Sequence, residues 1–283
     1  MAFFVLPKHQ IVLFRSETTM HLNILHKYWK TAAMAATSFV GDSPLFLLDY
    51  LLRFLRVAVL LSIWRTILAG KGEVSGMTME SVLTYTLIAE VFAEQLSPRT
   101  GLDLAIWNGS IATRFLHPIG TFEEFASEAF GKWILGFCMF SLPLLAFSPL
   151  LGVNPLPESA EAGGLFILSL TLAISVGLAI EFIFGALMVS LELNMWALYQ
   201  IRGAVTTLLS GALLPLPLLP WRIGDAFAWL PFASMASAPL RIYTGTGEAL
   251  QLIAIQAGWS VILWPVAHFL WRASRERMVS YGG

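Results

Sequence analysis

Six apolar runs divide the chain, at residues 44–69, 80–98, 128–151, 164–190, 195–214 and 248–271. Each approaches or exceeds the roughly 20 residues that a helix needs to cross a bilayer. Their interruptions carry as much information as their length. Asp49, Arg53, Arg56 and Arg65 break the first run. Asp49 and Arg53 are four apart and can pair on one helical face. Arg65, directly behind Trp64, has the character of an interfacial anchor. Glu90 and Glu94 share a face of the second run. Lys132 lies near the start of the third, Glu181 inside the fourth and Arg202 near the beginning of the fifth. Charges within a span face protein or water rather than lipid. The runs are separated by the short loop GKGEVSGMTME, a long polar interruption at 99–126, the turn-rich acidic stretch VNPLPESAEAGG, and a tight turn marked by Glu192 and Asn194.

Ahead of the first run, Leu25, Trp29, Ala32, Ala36 and Phe39 recur at helical spacing, while Asn23, His26, Lys27 and Lys30 fall largely elsewhere. This predicts an amphipathic helix over 20–41 lying at the membrane interface. Residues 1–19 are apolar but broken by Pro7 and by Lys8 to Gln10. They read as an N-terminal extension without signal-peptide features, and Met20 is an alternative start. Residues 212–245 are too apolar for a solvated loop, yet Pro215, Pro217, Pro220, Pro231 and Pro239 would break any continuous helix. Non-helical backbone at membrane depth needs protein or a water-filled cavity around it. The segment therefore predicts a re-entrant pair of short helices between the fifth and sixth spans. The expected fold class is an all-α membrane protein, with residues 20–283 as a single transmembrane domain.

Composition agrees. The chain is 57% hydrophobic and 12% charged, where soluble domains carry about 25% charged residues. Mean hydropathy is +0.73. The net charge of −1 selects no partner, but the distribution of Lys and Arg does set an orientation. With the N-terminus inside, the inner segments hold Lys8, Arg15, Lys27, Lys30, Arg99, Arg114, Lys132, Arg202 and the tail arginines Arg272, Arg275 and Arg277; the outer segments hold only Lys71, Arg222 and Arg241. By the positive-inside rule this expects a multi-pass protein of the cell (inner) membrane with both termini cytoplasmic.

The familiar chemistries are missing. No G-x-x-x-x-G-K-[ST] phosphate loop occurs, no H-E-x-x-H spacing, and no nucleophile elbow. His9, His21, His26, His117 and His268 are scattered, and the single Cys138 sits in an apolar run. No enzyme active site, metal site, cofactor or nucleic-acid partner is expected. What remains is a transporter driven by an ion gradient or by a partner.

The interruption Leu102 to Glu124, LDLAIWNGSIATRFLHPIGTFEE, organises the rest. Within it, Ile106-Trp107-Asn108-Gly109-Ser110-Ile111-Ala112-Thr113-Arg114-Phe115-Leu116-His117-Pro118-Ile119 resembles a cytoplasmic motif of the membrane-spanning permease subunits of bacterial type-2 ATP-binding-cassette (ABC) exporters. Leu230-Pro231-Phe232, Gln256-Ala257-Gly258-Trp259 and Gly282-Gly283 resemble a C-terminal pattern of the same family, and the likeness covers residues 20–283. Family members often carry Arg before the motif's Pro. Here that residue is His117, so any contact made there is less charged.

The resemblance implies six spans, an interfacial N-terminal helix, a coupling helix between spans two and three, and the re-entrant pair. It implies two ABC ATPase subunits per complex and a second permease, identical or related. ATP-driven closure of the ATPases would then squeeze the cavity between the permeases outward. Candidate residues for coupling to the ATPase are Trp107, Ile111, Arg114, Phe115, His117, Glu123 and Glu124, of which Trp107, Ile111 and Phe115 join Leu116 in an apolar knob. Translocation-cavity candidates are Glu90, Glu94, Glu181 and Arg202. Carboxylates there would attract cationic cargo, unless Arg53, Arg56 and Arg202 pair with them to hold helices together. Exit-gate candidates are Pro215, Pro217, Pro231 and Phe232. The alternatives are an ion-driven secondary carrier using Glu90, Glu94 and Glu181, or a non-transporting membrane scaffold. A carrier usually shows an inverted repeat, and none is evident.

Overall fold

The computed structural model describes residues 27–36, 46–192 and 194–281 and is mostly helical, at 76%. The extension 1–19, both flanks of the expected interfacial helix, the side chain of Asp49 and the Gly282-Gly283 pair lie outside the described residues.

Helix α1 spans 27–36. Its buried face is made by Ala32 and Ala35, whereas Trp29 is exposed. Of the predicted stripe, Ala32 packs inward, Ala36 is half-buried and the Trp29 indole points away. Helix α2 (Phe46–Leu68) leads into a two-residue ribbon, β1 (Glu73–Val74) against β2 (Met77–Thr78), a minimal exception to the all-α expectation. Helix α3 (Met79–Val91) is buried on every side from Val82 to Val91. Its buried sides are mostly apolar, as suits a helix enclosed by others, and the polar side chains Thr84, Thr86 and Glu90 among them are paired. Its Tyr85 hydroxyl donates to the Gly211 carbonyl at 2.7 Å, and its Thr84 hydroxyl to Asn154 O at 2.9 Å.

The second run is not one helix. It breaks at Phe92 and resumes as the single turn α4 (Ala93–Leu96). The Ser141 hydroxyl donates to the Val91 carbonyl at 2.6 Å. A carbonyl released from the helical ladder is thereby kept paired inside the protein. Ser141 itself ends a π-helical turn, Phe137–Ser141, which joins α7 (Thr121–Gly136) to α8 (Leu142–Phe147) just before Pro143. A missing proline N–H and a widened turn commonly go together in this way.

Helices α9 (Ala160–Ser190) and α14 (Ala249–Tyr281) form the most extensive pair in the fold. A ladder of polar side chains joins them. Ser169 donates to Gln256 Oε1 at 2.7 Å, Ser175 and Ser260 hydroxyls lie 2.6 Å apart, and Ser190 and Ser274 hydroxyls 2.7 Å apart. Small hydroxyl residues let helix backbones approach closely and bond across the seam. Helix α9 begins at Ala160, so part of the expected acidic loop is helical, with Ser159 as its cap. Helix α14 likewise runs on through the basic tail.

Helix α10 (Met195–Leu209) is followed by the Pro-rich segment, which holds two 3-10 turns, Leu216–Leu218 and Pro220–Arg222, and three short α-helices rather than a simple pair: α11 (Ile223–Phe227), α12 (Pro231–Met235) and α13 (Ser237–Tyr243). The two C-terminal motifs meet here. Gln256 Nε2 donates to Ser234 O at 2.8 Å and to Ser169 O at 3.1 Å, and Trp259 Nε1 donates to Trp229 O at 3.0 Å. Gln-x-x-Trp on α14 therefore holds the turn that carries Leu230-Pro231-Phe232. Gln256 is fully buried. Gln256→Leu strips three bonds at once, and at about 1 kcal/mol each should destabilise the fold by about 2–3 kcal/mol. A thermal melt in mild detergent checks this, and an unchanged midpoint would refute the bracing role.

Among the described residues, three helical stretches are long and apolar enough to cross a membrane: Thr121–Phe147, Ala160–Ser190 and Ala249–Arg275. The other three expected runs are helical but each departs from a simple span. Helix α2 carries four charged residues, the α3–α4 run is broken at Phe92, and α10 is only 15 residues long.

Candidate functional site: a braced element and a charged cavity

The polar interruption folds into two short helices, α5 (Leu102–Trp107) and α6 (Ile111–Arg114), turned against each other at Asn108-Gly109. Gly109 has a φ of 75°, and the Asn108 side chain accepts from Ser110 N at 3.0 Å. A left-handed glycine after an Asn is what lets one helical turn stop and a second start within three residues.

Two anchors hold this element. The first is Arg114. Its guanidinium donates to Glu128 through both terminal nitrogens, at 2.7 and 3.1 Å, and to Glu124 at 3.1 Å. It also stacks over the Phe125 ring, 4.2 Å from the centroid. His117 Nδ1 lies 2.9 Å from the same Glu124 oxygen. Glu124 and Glu128 are four apart on α7, so they present one face to α6. The second anchor is behind α5. Glu181 on α9 accepts from the backbone N and hydroxyl of Thr100, at 3.0 and 3.1 Å, and forms an ion pair with Arg202 of α10. Arg202 in turn donates to Pro98 O at 2.5 Å. All three side chains are buried. Above and below Glu181 on the same face are Gly177 and Gly185. A Cβ at Gly177 would stand 2.5 Å from the Pro98 ring, and one at Gly185 2.5 Å from Leu102. The spacing 177-181-185 puts all three on one line of α9. Two bare positions admit the chain, and the carboxylate between them binds it.

The coupling candidates divide accordingly. Ile111 is completely buried with Phe125, Phe182 and Trp271. Phe115 packs on Trp271 and lies under the Arg275 guanidinium at 5.0 Å. Arg114 and Glu124 are turned inward on each other. Trp107 and Leu116 project, at 59% and 85% exposure. The expected four-residue apolar knob is thus two exposed side chains on a base of two packed ones. Glu123 sits in the first turn of α7. Glu128 was not singled out from sequence, although its i,i+4 spacing from Glu124 was the available signal.

The cavity candidates also divide. A cavity of about 750 Å³ opens between α2, α3, α4, α7 and α10. Glu90 and Glu94 line it, but neither is a bare carboxylate. Arg56 donates to Glu90 at 2.6 Å, and Arg53 to Glu94 at 3.2 Å. These pairs account for Arg53 and Arg56 of the first run, which tie α2 to α4 and α3. Glu181 and Arg202 do not reach that cavity and instead line a separate narrow cleft with Asp103. Of the exit-gate candidates, Pro215 is buried and Pro217 half-buried, just beyond the cavity-lining Ala212 and Leu213. Pro231 and Phe232 do not line that cavity, and Phe232 packs with Val176, Ile180 and Met235. The structure therefore does not bring the four into one gate. Arg65, expected as an interfacial anchor, donates to the carbonyl oxygens of Leu151 and Gly152.

These features define a helical membrane protein with a braced, partly exposed element at one end and a polar cavity within the helices. The chain belongs to the ABC-2 family of transporter proteins, whose family model, described as ABC-2 family transporter protein, matches residues 54–282. It is accordingly a permease-type membrane component of an ABC transporter, and its family associates with ABC ATPase components. No curated protein and no solved structure matches it.

Proposed function

We propose that this chain is the permease subunit of an ABC exporter, moving a small molecule, lipid-like compound or peptide out of the cytoplasm on ATP hydrolysed by two separate ATPase subunits. The chain itself is not the enzyme and needs no cofactor. A second permease, identical or related, completes the complex in the cell (inner) membrane. Six crossings are made by α2, α3–α4, α7–α8, α9, α10 and α14, with both termini and the α5–α6 element on the cytoplasmic side, as the Lys and Arg bias suggests.

The observation that carries this reading is the construction of α5–α6. A part that transmits force has to be rigid on the inside and exposed on the outside. Here Arg114 and Glu181 brace the inner side, and Trp107 and Leu116 face outward. Exposed aromatic side chains on a rigid base are the usual anchors of a protein interface. The membrane-buried carboxylates of the rival carrier reading are all ion-paired with arginines, which does not favour a proton site.

The test is purification of the tagged chain from mild detergent, followed by mass spectrometry and an ATPase assay. A vanadate-sensitive ATPase should co-purify. Trp107→Ala should retain at least about tenfold less of it, with thermal stability unchanged within about 0.5 kcal/mol, as expected for an exposed site. A chain that purifies alone and is silent toward ATP would shift the reading to an ion-driven carrier.

A further inference from the structure

We infer that the cavity between α2, α3, α4, α7 and α10 binds an amphiphilic anion, a phosphate- or carboxylate-bearing head on an apolar body. This rests on the permease reading and narrows its cargo. The six charged side chains lining the cavity are Arg53, Arg56, Arg99, Lys132, Glu90 and Glu94. The two carboxylates are already engaged by Arg53 and Arg56. Lys132 has no ion-pair partner among the described residues, and Arg99 has no carboxylate partner among them. Arg99 instead stacks on the Tyr199 ring at 4.5 Å and donates to its hydroxyl. That contact orients the guanidinium without neutralising it. The charge left over is positive, opposite in sign to what Glu90 and Glu94 alone suggest.

The lining is also graded along its length. Arg99 follows α4 directly, beside the α5–α6 element, and Lys132 lies on α7 one turn beyond Glu128, the residue that ties α7 to that element. Ser210, Ala212 and Leu213 come from beyond the far end of α10. Trp133, buried beside Lys132, and Ala89 and Ala93 add apolar wall. A volume of about 750 Å³ lies within the roughly 300–1,000 Å³ of small-molecule sites, which combine an apolar wall with a few placed polar groups. A strongly hydrated anion would gain little from the apolar part, and a neutral hydrocarbon nothing from the two cations. A cation would be repelled.

The experiment measures binding to the purified permease, without ATPase, in nanodiscs of zwitterionic lipid. The probes are dodecyl phosphate and the dodecyltrimethylammonium cation, compared by calorimetry. Dodecyl phosphate should bind at least about tenfold more tightly. Lys132→Gln and Lys132→Glu should each weaken it by about tenfold or more, the scale of one charge contact in a partly wet site. Lys71→Gln, an exposed lysine in the turn after α2, should change nothing. Equal or stronger binding of the cation, or dodecyl phosphate binding indifferent to both Lys132 variants, would overturn the inference. Repeating the titration in nanodiscs containing phosphatidylglycerol separates the sources. Competition there assigns the anionic head to a membrane lipid, and undiminished binding assigns it to a soluble cargo; either supports the anion site. Because no ATPase is present, failure here leaves the co-purification result standing, and the reverse also holds.

Discussion

Arg202→Met should destabilise the protein by about 3–5 kcal/mol, the cost of leaving one member of a buried ion pair without the other. Glu181 is 3% exposed and Arg202 8%, so solvent cannot take over the orphaned charge. Arg202 also supplies the donor to Pro98 O. Its loss therefore loosens the turn that leads into α5 as well as the contact between α9 and α10. Replacing both partners, Glu181→Met with Arg202→Met, should recover most of the stability, since apolar side chains of similar volume often substitute for a buried pair at little cost. The double variant should nonetheless bind the ATPase poorly, because Thr100 and Pro98 have lost their partners. Thermal unfolding of the two single variants and the double variant forms a complete cycle. If Arg202→Met melts with the wild type, or if the double variant is less stable than either single one, the pair does not brace the site.

The second large effect is expected at Arg114. Arg114→Glu replaces a guanidinium that serves two carboxylates with a third carboxylate beside Glu124 and Glu128. The three charge-assisted bonds are lost and like charges are crowded against the Phe125 ring. Charge-assisted bonds contribute about 1.5–3 kcal/mol each when formed, but Arg114 is 20% exposed and water relieves part of the loss. A local destabilisation of about 2–4 kcal/mol is expected. It should appear as faster proteolysis between residues 97 and 121 and as ATP hydrolysis that no longer drives transport. Exchanging the charges, Arg114→Glu with Glu128→Arg, should restore protease resistance in large part. Wild-type transport by Arg114→Glu would show that the α6–α7 tie carries no force. The contrast with Trp107→Ala is diagnostic. One variant spares the fold and removes the contact surface, whereas the other leaves Trp107 in place and softens what stands behind it.

Membrane character, helical class and the position of the α5–α6 element were determined by the sequence alone. Apolar runs of bilayer length and punctuation by Asn108-Gly109 and His117-Pro118 are local properties, legible without neighbours. The two C-terminal motifs were also visible as patterns, Leu-Pro-Phe and Gln-x-x-Trp. That Gln256 and Trp259 bond the turn carrying Pro231 and Phe232 was not, since nothing local links residues this far apart in the chain.

Tertiary structure decided which charges face each other. Asp49 with Arg53, and Glu90 with Glu94, are neighbours on their own helices, and helical spacing can see no further than that. The ties from Arg53 to Glu94 and from Arg56 to Glu90 span 41 and 34 residues. They depend on how α2 docks on α3 and α4. At the break of the second run at Phe92, Ser141, from a turn that comes later in the chain, takes the carbonyl of Val91. The sign of the cavity follows the same logic. Composition counts carboxylates and cations equally wherever they lie, but a cavity presents only the charges left after pairing, and pairing is settled by packing. Lys132 and Arg99 are left over because α7 and the turn after α4 bring them to the cavity without a carboxylate partner among the described residues.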